Sequence, residues 1–472
     1  MQAIILAGGK GSRLWPVSTE NNPKPFIKIN SNLSLLQQTY LRAKNLEEIS
    51  GIITVSNRKY IGKINSEYLS VTHIEGPFIK NSFISEPVPR NTAPAITAAA
   101  IQVNKLYGPE EMLLILPSDH IIDDKKEFKK SVARAKQLAK LNKIVALGII
   151  PDHPNTNYGY IKQENEKILE FIEKPNIDLA RNFIDSGEYL WNSGIFCFKA
   201  GIFLKEMEKN APSVLQDVKN CVNSSKLSNS EDYSELKLNL DSFSSIKVNS
   251  IDYELMEKSK SLMVVPSNFV WKDVGSWETL SACYAADTDG NKINGSAILK
   301  DTKNCYVENK EKNIAIIGVQ NLTIINSDNG ILIADKSHSS EVKNLFFEEE
   351  NNKNSQFPWG QTKRFTQNGG PNMIEITIYP KRTFRINDYF DYSSNWMVVS
   401  GIAEFSSNKS VTILSDNESK HISADSNFYI TNVSAKSLII FSIQLDDYML
   451  ENGIASLENN FGLRKNEKIT VL

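Results

Sequence analysis

The sequence has few of the features that mark secreted, zinc-binding or membrane-spanning proteins. Only four cysteines occur among 472 residues, and no two of them form a Cys-x-x-Cys pair. Such spacing favours scattered, buried thiols of a reducing compartment over a zinc site or a disulfide framework. No apolar run approaches the length of a membrane span, and no charged N-terminal stretch leads into a long apolar core. We therefore expect a soluble, cytoplasmic protein.

An excess of charge of one sign is also missing. The chain has 53 Lys and Arg residues against 55 Asp and Glu residues, for a formal net charge of −2. This balance gives no electrostatic footprint for nucleic acid or an anionic membrane, and we expect neither as a partner. Any binding of phosphate must then come from the local placement of Arg and Lys. The length predicts more than one domain.

A glycine-dense loop follows the first apolar run. Residues 3–16 read AIILAGGKGSRLWP, and PKP follows at residues 23–25. The spacing does not match a Walker A loop, and Leu14 stands where a dinucleotide fingerprint needs its third glycine. Glycines still let a backbone approach phosphate oxygens, and Arg13 and Lys24 could neutralise charge on a departing phosphate group. The alternative is an ordinary strand-to-helix turn.

Strand-like and helix-like segments alternate up to about residue 285. This alternation predicts a largely parallel sheet with helices on both faces, in which ligands lie beyond the carboxyl ends of the strands. From residue 287 to residue 343, short apolar strands recur without helical periodicity, which predicts a β-solenoid or a β-meander. The β-rich runs after residue 357 predict a compact antiparallel barrel or sandwich.

Two carboxylates could hold a divalent metal ion. Asp119 ends the apolar run LLILPSD, and Asp273 lies within VWKDVGSW. Mg²⁺ prefers hard oxygen ligands and is usually held by one or two carboxylates together with phosphate oxygens. The alternative for either Asp is a helix cap or a turn residue. We assign no catalytic role to the neighbouring His120, because a satisfied structural histidine is more common.

Three further segments offer groups that could recognise a sugar or a base. FIEKP supplies Glu173 for sugar hydroxyls and Lys174 for a sugar phosphate, unless the two form a solvated surface pair. WNSGIF places Asn192 beside a glycine and an aromatic ring, unless it is a satisfied amide of a core strand. EPVPRNTAP puts polar groups before a helix N-terminus, where a base edge or a phosphate could dock and where we expect Thr92 to cap the helix.

Taken together and in this order, the segments resemble the mannose-1-phosphate guanylyltransferase family of sugar nucleotidyltransferases, in its long bacterial form with a fused mannose-6-phosphate isomerase domain. The matching pieces are LAGGKGSRLWPVS with PKPF, EPVPRNTAPAI, LPSDH, YGYI, FIEKP, WNSGIF, SIDYELMEK and VWKDVGSW. DTKNCYVENK and the run ending EVKNL are similar to the family's β-helical segment.

The resemblance implies a fold and a set of domain boundaries. The fold is α/β: a Rossmann-like nucleotidyltransferase domain with a mostly parallel sheet, then a β-helix-like segment and a cupin-like β-barrel. The implied boundaries are 1–285 for the nucleotidyltransferase domain, 286–346 for the β-helix-like segment, 347–357 for a linker, 358–450 for the cupin-like domain and 451–472 for a tail.

The resemblance also implies roles for individual residues. The implied nucleotide-binding residues are Gly8, Gly9, Gly11, Arg90 and Asn91. The implied catalytic residues, which neutralise phosphates of the two substrates, are Arg13, Lys24 and Lys174. The implied sugar-binding residues are Gly159, Glu173, Asn192, Asp252 and Glu254. The implied Mg²⁺ ligands are Asp119 and Asp273.

The reaction implied by the resemblance is GTP + α-D-mannose 1-phosphate → GDP-mannose + pyrophosphate, with Mg²⁺ as the cofactor. An oxygen of the sugar phosphate attacks the α-phosphorus in line, and no covalent enzyme intermediate is needed. Two alternatives stay open: the same chemistry on another sugar 1-phosphate or nucleotide, and a non-catalytic scaffold or sensor that binds a nucleotide sugar. A homo-oligomer is also left open.

The chain departs from the family pattern in two places. In the first loop, Thr19 stands at the family's Arg position and Pro25 at its Gln position, so we expect one triphosphate contact to differ. In the C-terminal domain, the family's histidine-bearing run is replaced by NDYFDYSSN at residues 387–395. Neutral imidazole is the usual zinc ligand, and Asp388 and Asp391 alone would make a poor cage. We therefore expect this domain to lack isomerase activity.

Overall fold

The computed structural model describes residues 1–9, 11–19, 22–29, 32–72, 79–229, 233–309, 313–345, 355–357, 359–365, 372–385, 394–407, 410–422 and 428–444. Contacts within the chain divide it into two units, Met1–Phe346 and Phe347–Leu472. All four cysteines are free thiols, and three of them are buried. Among the described helices, none is long and apolar enough to cross a bilayer.

The first unit contains the helices and the first nineteen strands. The α-helices are α1 (Leu35–Lys44), α2 (Ile61–Leu69), α3 (Thr92–Tyr107), α4 (Lys125–Lys140), α5 (Ile177–Ser186), α6 (Ala200–Asn210), α7 (Pro212–Ser224), α8 (Leu240–Ser244) and α9 (Trp277–Ser281). Short 3-10 helices span Ser12–Leu14, Lys24–Phe26, Arg58–Tyr60 and Lys336–Leu345, and a π-helix spans Asp252–Met256. The strands are β1 (Gln2–Ala7), β2 (Gly51–Asn57), β3 (Asn81–Glu86), β4 (Met112–Pro117), β5 (His120–Ile122), β6 (Ile144–Ile149), β7 (Gly159–Glu164), β8 (Lys167–Glu173), β9 (Tyr189–Lys199), β10 (Lys226–Asn229), β11 (Tyr233–Lys237), β12 (Leu262–Ser267), β13 (Trp271–Asp273), β14 (Lys292–Gly295), β15 (Ile298–Lys300), β16 (Tyr306–Asn309), β17 (Ala315–Ile317), β18 (Leu322–Ser327) and β19 (Gly330–Asp335).

An eleven-stranded sheet forms the centre of the first unit, in the order β10-β11-β3-β2-β1-β4-β9-β6-β12-β8-β7. The five neighbours from β11 to β4 are parallel, as the alternation of helices and strands predicts. One apolar core packs α1, α2 and α4 on one face, and a second packs α3, α6 and α7 on the other. The sequence did not indicate that β9 inserts antiparallel between β4 and β6.

The parallel register places three chain segments at one edge of the sheet. Leu6 of β1 is opposite Val55 of β2 and Pro117 of β4, and Asn57 of β2 is opposite Glu86 of β3. The loops after β1, β3 and β4 therefore leave the sheet side by side. The glycine loop and the two later segments thus border one crevice at the carboxyl ends of the strands, where ligands of parallel sheets lie.

The spacing of Ser34 and Gln37 predicts a capping box at the start of α1, and Thr92 is the predicted cap of α3. The capping box at Ser34 is present, because its hydroxyl accepts from the Gln37 N–H and the Gln37 side chain accepts from the Ser34 N–H. The prediction that Thr92 caps α3 is wrong. Asn91 takes that position with its side-chain oxygen on the Thr92 N–H, while the Thr92 hydroxyl accepts from the Ile251 N–H instead.

Strands β14 to β18 form a short β-helix, which decides between the two predicted alternatives. Strands β14, β16 and β18 stack in parallel as one ladder, and β15 and β17 stack as another. Asparagines line up between successive coils: the Asn326 amide donates to the Asn309 side chain, which in turn donates to the Ser296 carbonyl. Tyr306 and Ile325 pack in the same apolar cluster as Leu14, so the β-helix supports the first loop.

The second unit consists of antiparallel strands. They are β20 (Ser355–Phe357), β21 (Gly360–Phe365), β22 (Asn372–Ile378), β23 (Thr383–Arg385), β24 (Ser394–Ser400), β25 (Ala403–Ser406), β26 (Val411–Leu414), β27 (Ser419–Ile422), β28 (Tyr429–Asn432) and β29 (Leu438–Gln444). Two sheets of six and four strands enclose a core that includes Trp396 and Phe405, as the β-rich pattern predicts. Strand β20 falls in the segment that we predicted as a linker. Asp388 and Asp391 lie outside the described residues.

Candidate active site

Two carboxylates from distant parts of the chain meet because a short ladder joins them. Strand β5 begins directly after Asp119 and pairs antiparallel with β13, with His120 opposite Asp273. Both carboxylates reach the same ammonium group. Lys24 Nζ lies 2.6 Å from Asp119 Oδ2 and 2.8 Å from Asp273 Oδ1. We call these three residues the acidic cluster.

The charges of the acidic cluster stabilise one another. Burial alone would lower the pKa of Lys24, but the attraction of Asp119 and Asp273 outweighs it and raises the pKa above its ordinary value. Burial alone would raise the pKa of Asp273, but Lys24, His120 and Arg13 together lower that pKa to about 2. The Asp273 carboxylate therefore stays ionised at neutral pH.

The glycine loop packs directly against the acidic cluster. Gly11 has a φ of 68°, and a Cβ on it would lie 2.5 Å from Lys24 Cβ, so only glycine fits there. A Cβ on Gly9 would meet nothing within 4 Å, and one on Gly8 would make only an ordinary contact. Gly9 thus borders open space, whereas Gly8 lies against Glu86 Oε2. Arg13 lies beside the acidic cluster, because a Cβ on Gly275 would lie 3.9 Å from Arg13 Nη1 and 3.7 Å from either carboxylate oxygen of Asp273.

Five of the predicted sugar-side residues form a second group, which we call the sugar cluster. Gly159 is opposite Glu173 in the β7–β8 ladder, and a Cβ on it would lie 2.5 Å from Glu173 Oε2 and 3.4 Å from Asn192 Cβ. The Asn192 amide donates to Asp252 Oδ1 at 3.0 Å. Lys174 Nζ lies 2.8 Å from Glu173 Oε1. Burial, reinforced by the charge of Glu173, raises the pKa of Asp252 to about 6.

An aromatic wall connects the two clusters. Tyr158 precedes Gly159, and its ring packs edge-on against Trp191 and Trp271, with ring centres 5.1 and 5.0 Å away. Trp191 precedes Asn192, and Trp271 lies two residues before Asp273. The three rings belong to the buried core on one face of the sheet, and they join the chain segments that carry Gly159, Asn192 and Asp273. Sequence reasoning missed this wall, because aromatic residues at these positions also suit an ordinary core.

Three predicted site residues make their described contacts elsewhere. The Arg90 guanidinium donates to the carbonyls of Phe243 and Ser244, and the Asn91 side chain caps α3. Glu254 accepts from the Asn249 amide and from Lys258 Nζ, at 2.7 and 3.2 Å. These contacts are structural, and they do not join Glu254 to the sugar cluster.

Glu86 is a site residue that sequence reasoning missed. It ends β3 beside Gly8, and burial raises the pKa of its carboxyl to about 8. Among the described residues, its Oε1 atom is buried without a hydrogen-bond partner. A buried polar atom without a partner is rare and suggests that a ligand completes the contact. The only signal was its place as the first residue of EPVPRNTAP.

The acidic cluster also has suitable chemistry for a divalent metal ion. Asp119 and Asp273 can both contact a single cation, as their shared contact with Lys24 demonstrates. Carboxylate oxygens are the hard ligands that Mg²⁺ prefers, and phosphate oxygens of a substrate normally complete its coordination. Within the described part of the chain, no group of three or more His, Cys, Asp and Glu residues could hold a metal ion. A metal at the two aspartates would therefore depend on its substrate for further ligands.

Comparison with known proteins identifies the family of each part of the chain. The family model for nucleotidyl transferases matches residues 2–290. The model for the MannoseP isomerase/GMP-like beta-helix domain matches residues 295–348. The model for the mannose-6-phosphate isomerase C-terminal domain matches residues 347–459. A mannose-1-phosphate guanylyltransferase of Klebsiella pneumoniae is 31% identical, over 97% of this chain and 99% of that relative. The chain belongs to the mannose-1-phosphate guanylyltransferase family.

Solved structures extend the likeness to the three-dimensional level. A mannose-1-phosphate geranyltransferase structure from Thermus thermophilus is 28% identical, with a TM-score of 0.61 over 73% of this chain and 97% of that one. A mannose-6-phosphate isomerase structure from Helicobacter pylori is 30% identical, with a TM-score of 0.51 over 58% of this chain and 99% of that one. As a member of the mannose-1-phosphate guanylyltransferase family, this chain is a nucleotidyltransferase with a β-helix-like segment and a cupin-like domain.

Proposed function

We propose that this protein transfers the guanylyl group of GTP to α-D-mannose 1-phosphate and releases pyrophosphate. An oxygen of the sugar phosphate forms a bond to the α-phosphorus as the bond from that phosphorus to the β-phosphate oxygen breaks. The observation that carries this proposal is the meeting of Lys24, Asp119 and Asp273, with Arg13 beside them, at the mouth of the sheet. This arrangement of side chains is independent support, because the similarity to named relatives does not describe it.

Catalysis in this proposal consists of positioning and of neutralising charge. Arg13 and Lys24 would bind the β- and γ-phosphates and stabilise the negative charge that builds up on pyrophosphate as it leaves. Lys174 would offset the charge of the attacking sugar phosphate, which otherwise repels the triphosphate. Mg²⁺, held by Asp119 and Asp273, would neutralise further phosphate charge. We propose Mg²⁺ as the metal because its usual protein sites combine one or two carboxylates with phosphate oxygens of the substrate.

The sugar cluster supports a polyhydroxylated substrate. Glu173, Asn192 and Asp252 supply carboxylate and amide groups of the kind that hydrogen-bond to sugar hydroxyls. Gly159 keeps the space between them open, because a side chain there would collide with Glu173. Lys174 directly follows Glu173 at the end of β8, and it would bind the phosphate of that sugar. Glu254 is left outside this assignment because of its contacts with Asn249 and Lys258.

Glu86 supports guanine as the base. An ionised carboxylate can accept two hydrogen bonds, and the N1–H and N2 amino groups of guanine provide two donors side by side. Adenine has no such pair of neighbouring donors. Arg90 and Asn91 would then act on the base side by shaping the loop that follows Glu86, through their contacts with α8 and with α3.

Pyrophosphate release from a panel of nucleotides and sugar 1-phosphates tests the proposal. We expect release with GTP and mannose 1-phosphate together, and neither substrate should release pyrophosphate alone. Faster release with another pair would replace this specificity with that of another sugar nucleotidyltransferase. Binding of GTP without pyrophosphate release from any pair would instead favour a nucleotide-sugar-binding scaffold or sensor.

We further propose that the second unit has no isomerase activity. Its sequence contains a single histidine, His421, whose ring contacts the Asn395 side-chain oxygen at 2.9 Å. One imidazole cannot supply the several nitrogen ligands of a typical catalytic zinc site. Stoichiometric zinc in the purified protein, together with conversion of fructose 6-phosphate to mannose 6-phosphate, would contradict this.

We also propose the domain boundaries given above. We propose a cytoplasmic location as well, which the four free cysteines support.

A further inference from the structure

Lys24 lies where a metal ion bound by both aspartates would have to lie. Its ammonium nitrogen contacts Asp119 and Asp273 at 2.6 and 2.8 Å, so it already occupies the space between the two carboxylates. The side chain is almost fully buried, with 6% of its surface exposed. A divalent cation that touched both carboxylates in these positions would overlap the ammonium. Lys24 and the metal ion therefore cannot share the two carboxylates in the arrangement described.

We propose that Lys24 is the resident cation of this site and excludes divalent metal until a triphosphate arrives. The inference deepens the proposed function and rests on it. In the nucleotide-free protein, Lys24 holds the two carboxylates. When the triphosphate provides new oxygen partners, the ammonium moves to the phosphates and leaves the carboxylates to the metal. Metal and triphosphate then enter as a pair, and the free protein binds divalent ions weakly.

The charge balance of the crevice supports this exchange. Asp119 and Asp273 carry two negative charges, which the positive charges of Lys24 and Arg13 offset. A divalent ion that entered alone would displace a buried ammonium and leave it unpaired beside a like charge, which is strongly unfavourable. A triphosphate carries several negative charges, so it pairs with the displaced ammonium and offsets the repulsion between the ammonium and the metal ion. The exchange is thus favourable only when metal and triphosphate come together.

The local backbone allows the side chain to move without the loop. Lys24 begins a 3-10 helix between Pro23 and Pro25, and this helix is buried. Gly11 packs so closely on Lys24 that a Cβ would lie 2.9 Å from the Lys24 backbone nitrogen. The main chain is therefore held in place. The ammonium can therefore change its partner only by rotation of its own side-chain torsions.

Binding of Mn²⁺ to the nucleotide-free protein, followed by electron paramagnetic resonance of the free ion, tests the inference without turnover. Mn²⁺ accepts the same oxygen ligands as Mg²⁺. The wild-type protein should bind Mn²⁺ weakly. Lys24→Met should bind it about tenfold more tightly or better, because a competing positive charge is gone. Addition of Asp119→Asn to that variant should abolish the gain.

A matched control is Lys162→Met, which removes a lysine paired with Glu188 on the surface of β7 and should leave Mn²⁺ binding unchanged. If Lys24→Met does not fold, as judged by circular dichroism, Lys24→Gln replaces it. Tight stoichiometric binding of Mn²⁺ by the nucleotide-free wild type, or no gain in a folded Lys24 variant, overturns the inference. Since no substrate is present, a gain in Mn²⁺ binding would stand even if the protein released no pyrophosphate, so the two proposals can fail separately.

Discussion

Arg13 is an exposed side chain in a 3-10 helix, and its guanidinium faces the space beside Asp273. We predict that Arg13→Ala lowers the rate of pyrophosphate release by about 10²–10³-fold, because a charge aimed at the leaving group is lost. The thermal unfolding midpoint should change little, since an exposed side chain contributes little packing. Arg134→Ala removes an exposed arginine that pairs with Glu166 and serves as the control. Near-normal release by a folded Arg13→Ala protein would refute the role assigned to Arg13.

If Glu86 binds the base as we propose, nucleotide affinity should depend on pH. Its pKa is raised to about 8 from an ordinary value of 4.5, so the carboxyl is largely protonated at pH 7. The paired donors of guanine favour the ionised form, and we therefore expect GTP affinity to rise between pH 6 and pH 8, by up to about tenfold per unit, and to level off above. Isothermal titration calorimetry across this range measures it.

Two comparisons isolate the carboxyl in that experiment. Glu86→Gln should bind GTP more weakly and with a flat pH profile, because its amide does not titrate in this range. Inosine triphosphate lacks the N2 amino group, so the wild type should discriminate against it and Glu86→Gln should not. A wild-type affinity for GTP that is independent of pH would mean that the Glu86 carboxyl does not contact the base.

At the scale of elements, packing requires glycine at position 11 of the first loop but not at position 9. Gly11→Ala combines a positive φ with a 2.5 Å approach to Lys24, and it should destabilise the protein by about 1–3 kcal/mol. Gly9→Ala meets nothing within 4 Å and should leave the stability unchanged. Chemical denaturation of both variants measures the difference. Equal stability of the two would show that the loop does not pack on Lys24 as described.

The β7–β8 ladder provides a similar test on the sugar side. Gly159→Ala should push the Glu173 carboxylate aside, because the new Cβ would lie 2.5 Å from its Oε2 atom. We expect the KM for mannose 1-phosphate to rise about tenfold, the equivalent of one hydrogen bond to a charged group, while the KM for GTP stays constant. Gly62→Ala lies in open space on α2 and is the matched control. A rise in the KM for GTP alone would place Gly159 outside the sugar pocket.

Features that depend on neighbouring residues could be predicted from the sequence, and features that depend on distant segments could not. Strands β1 to β4 and the capping box at Ser34 follow from local patterns, because each depends on a few neighbouring residues. The insertion of β9 depends on pairing across distant segments, which no local pattern records. Asp119 and Asp273 were identifiable by residue type and family resemblance, but the β5–β13 register that joins them was not.

Glu86 shows why part of the candidate site could not be predicted from the sequence. A glutamate at the end of a strand is unremarkable in a sequence, and only the packing of the first loop over β3 buries it beside Gly8. Arg90 shows the reverse: its charge suggested a ligand contact, whereas its guanidinium donates to the carbonyls of Phe243 and Ser244. Burial and hydrogen bonding arise from the whole fold, so residue type alone could not distinguish these two.

At the scale of the whole molecule, phosphate binding depends on the local placement of a few charged side chains. A formal net charge of −2 gives no general attraction for phosphates, yet the mouth of the sheet gathers Arg13 and Lys24 around Asp119 and Asp273. The β-helix packs behind the same loop through Tyr306 and Leu14, so it stabilises the site from outside the sheet. The second unit keeps a well-packed core around Trp396 although its sequence has a single histidine.

The central claim is that the acidic cluster is the centre of guanylyl transfer. Steady-state pyrophosphate release with GTP, mannose 1-phosphate and Mg²⁺, measured for the wild type and for Asp273→Asn, tests it most directly. We predict release by the wild type only when both substrates are present, and a loss of at least about 10²-fold in the folded Asp273→Asn protein. Release by Asp273→Asn at the wild-type rate would contradict the claim.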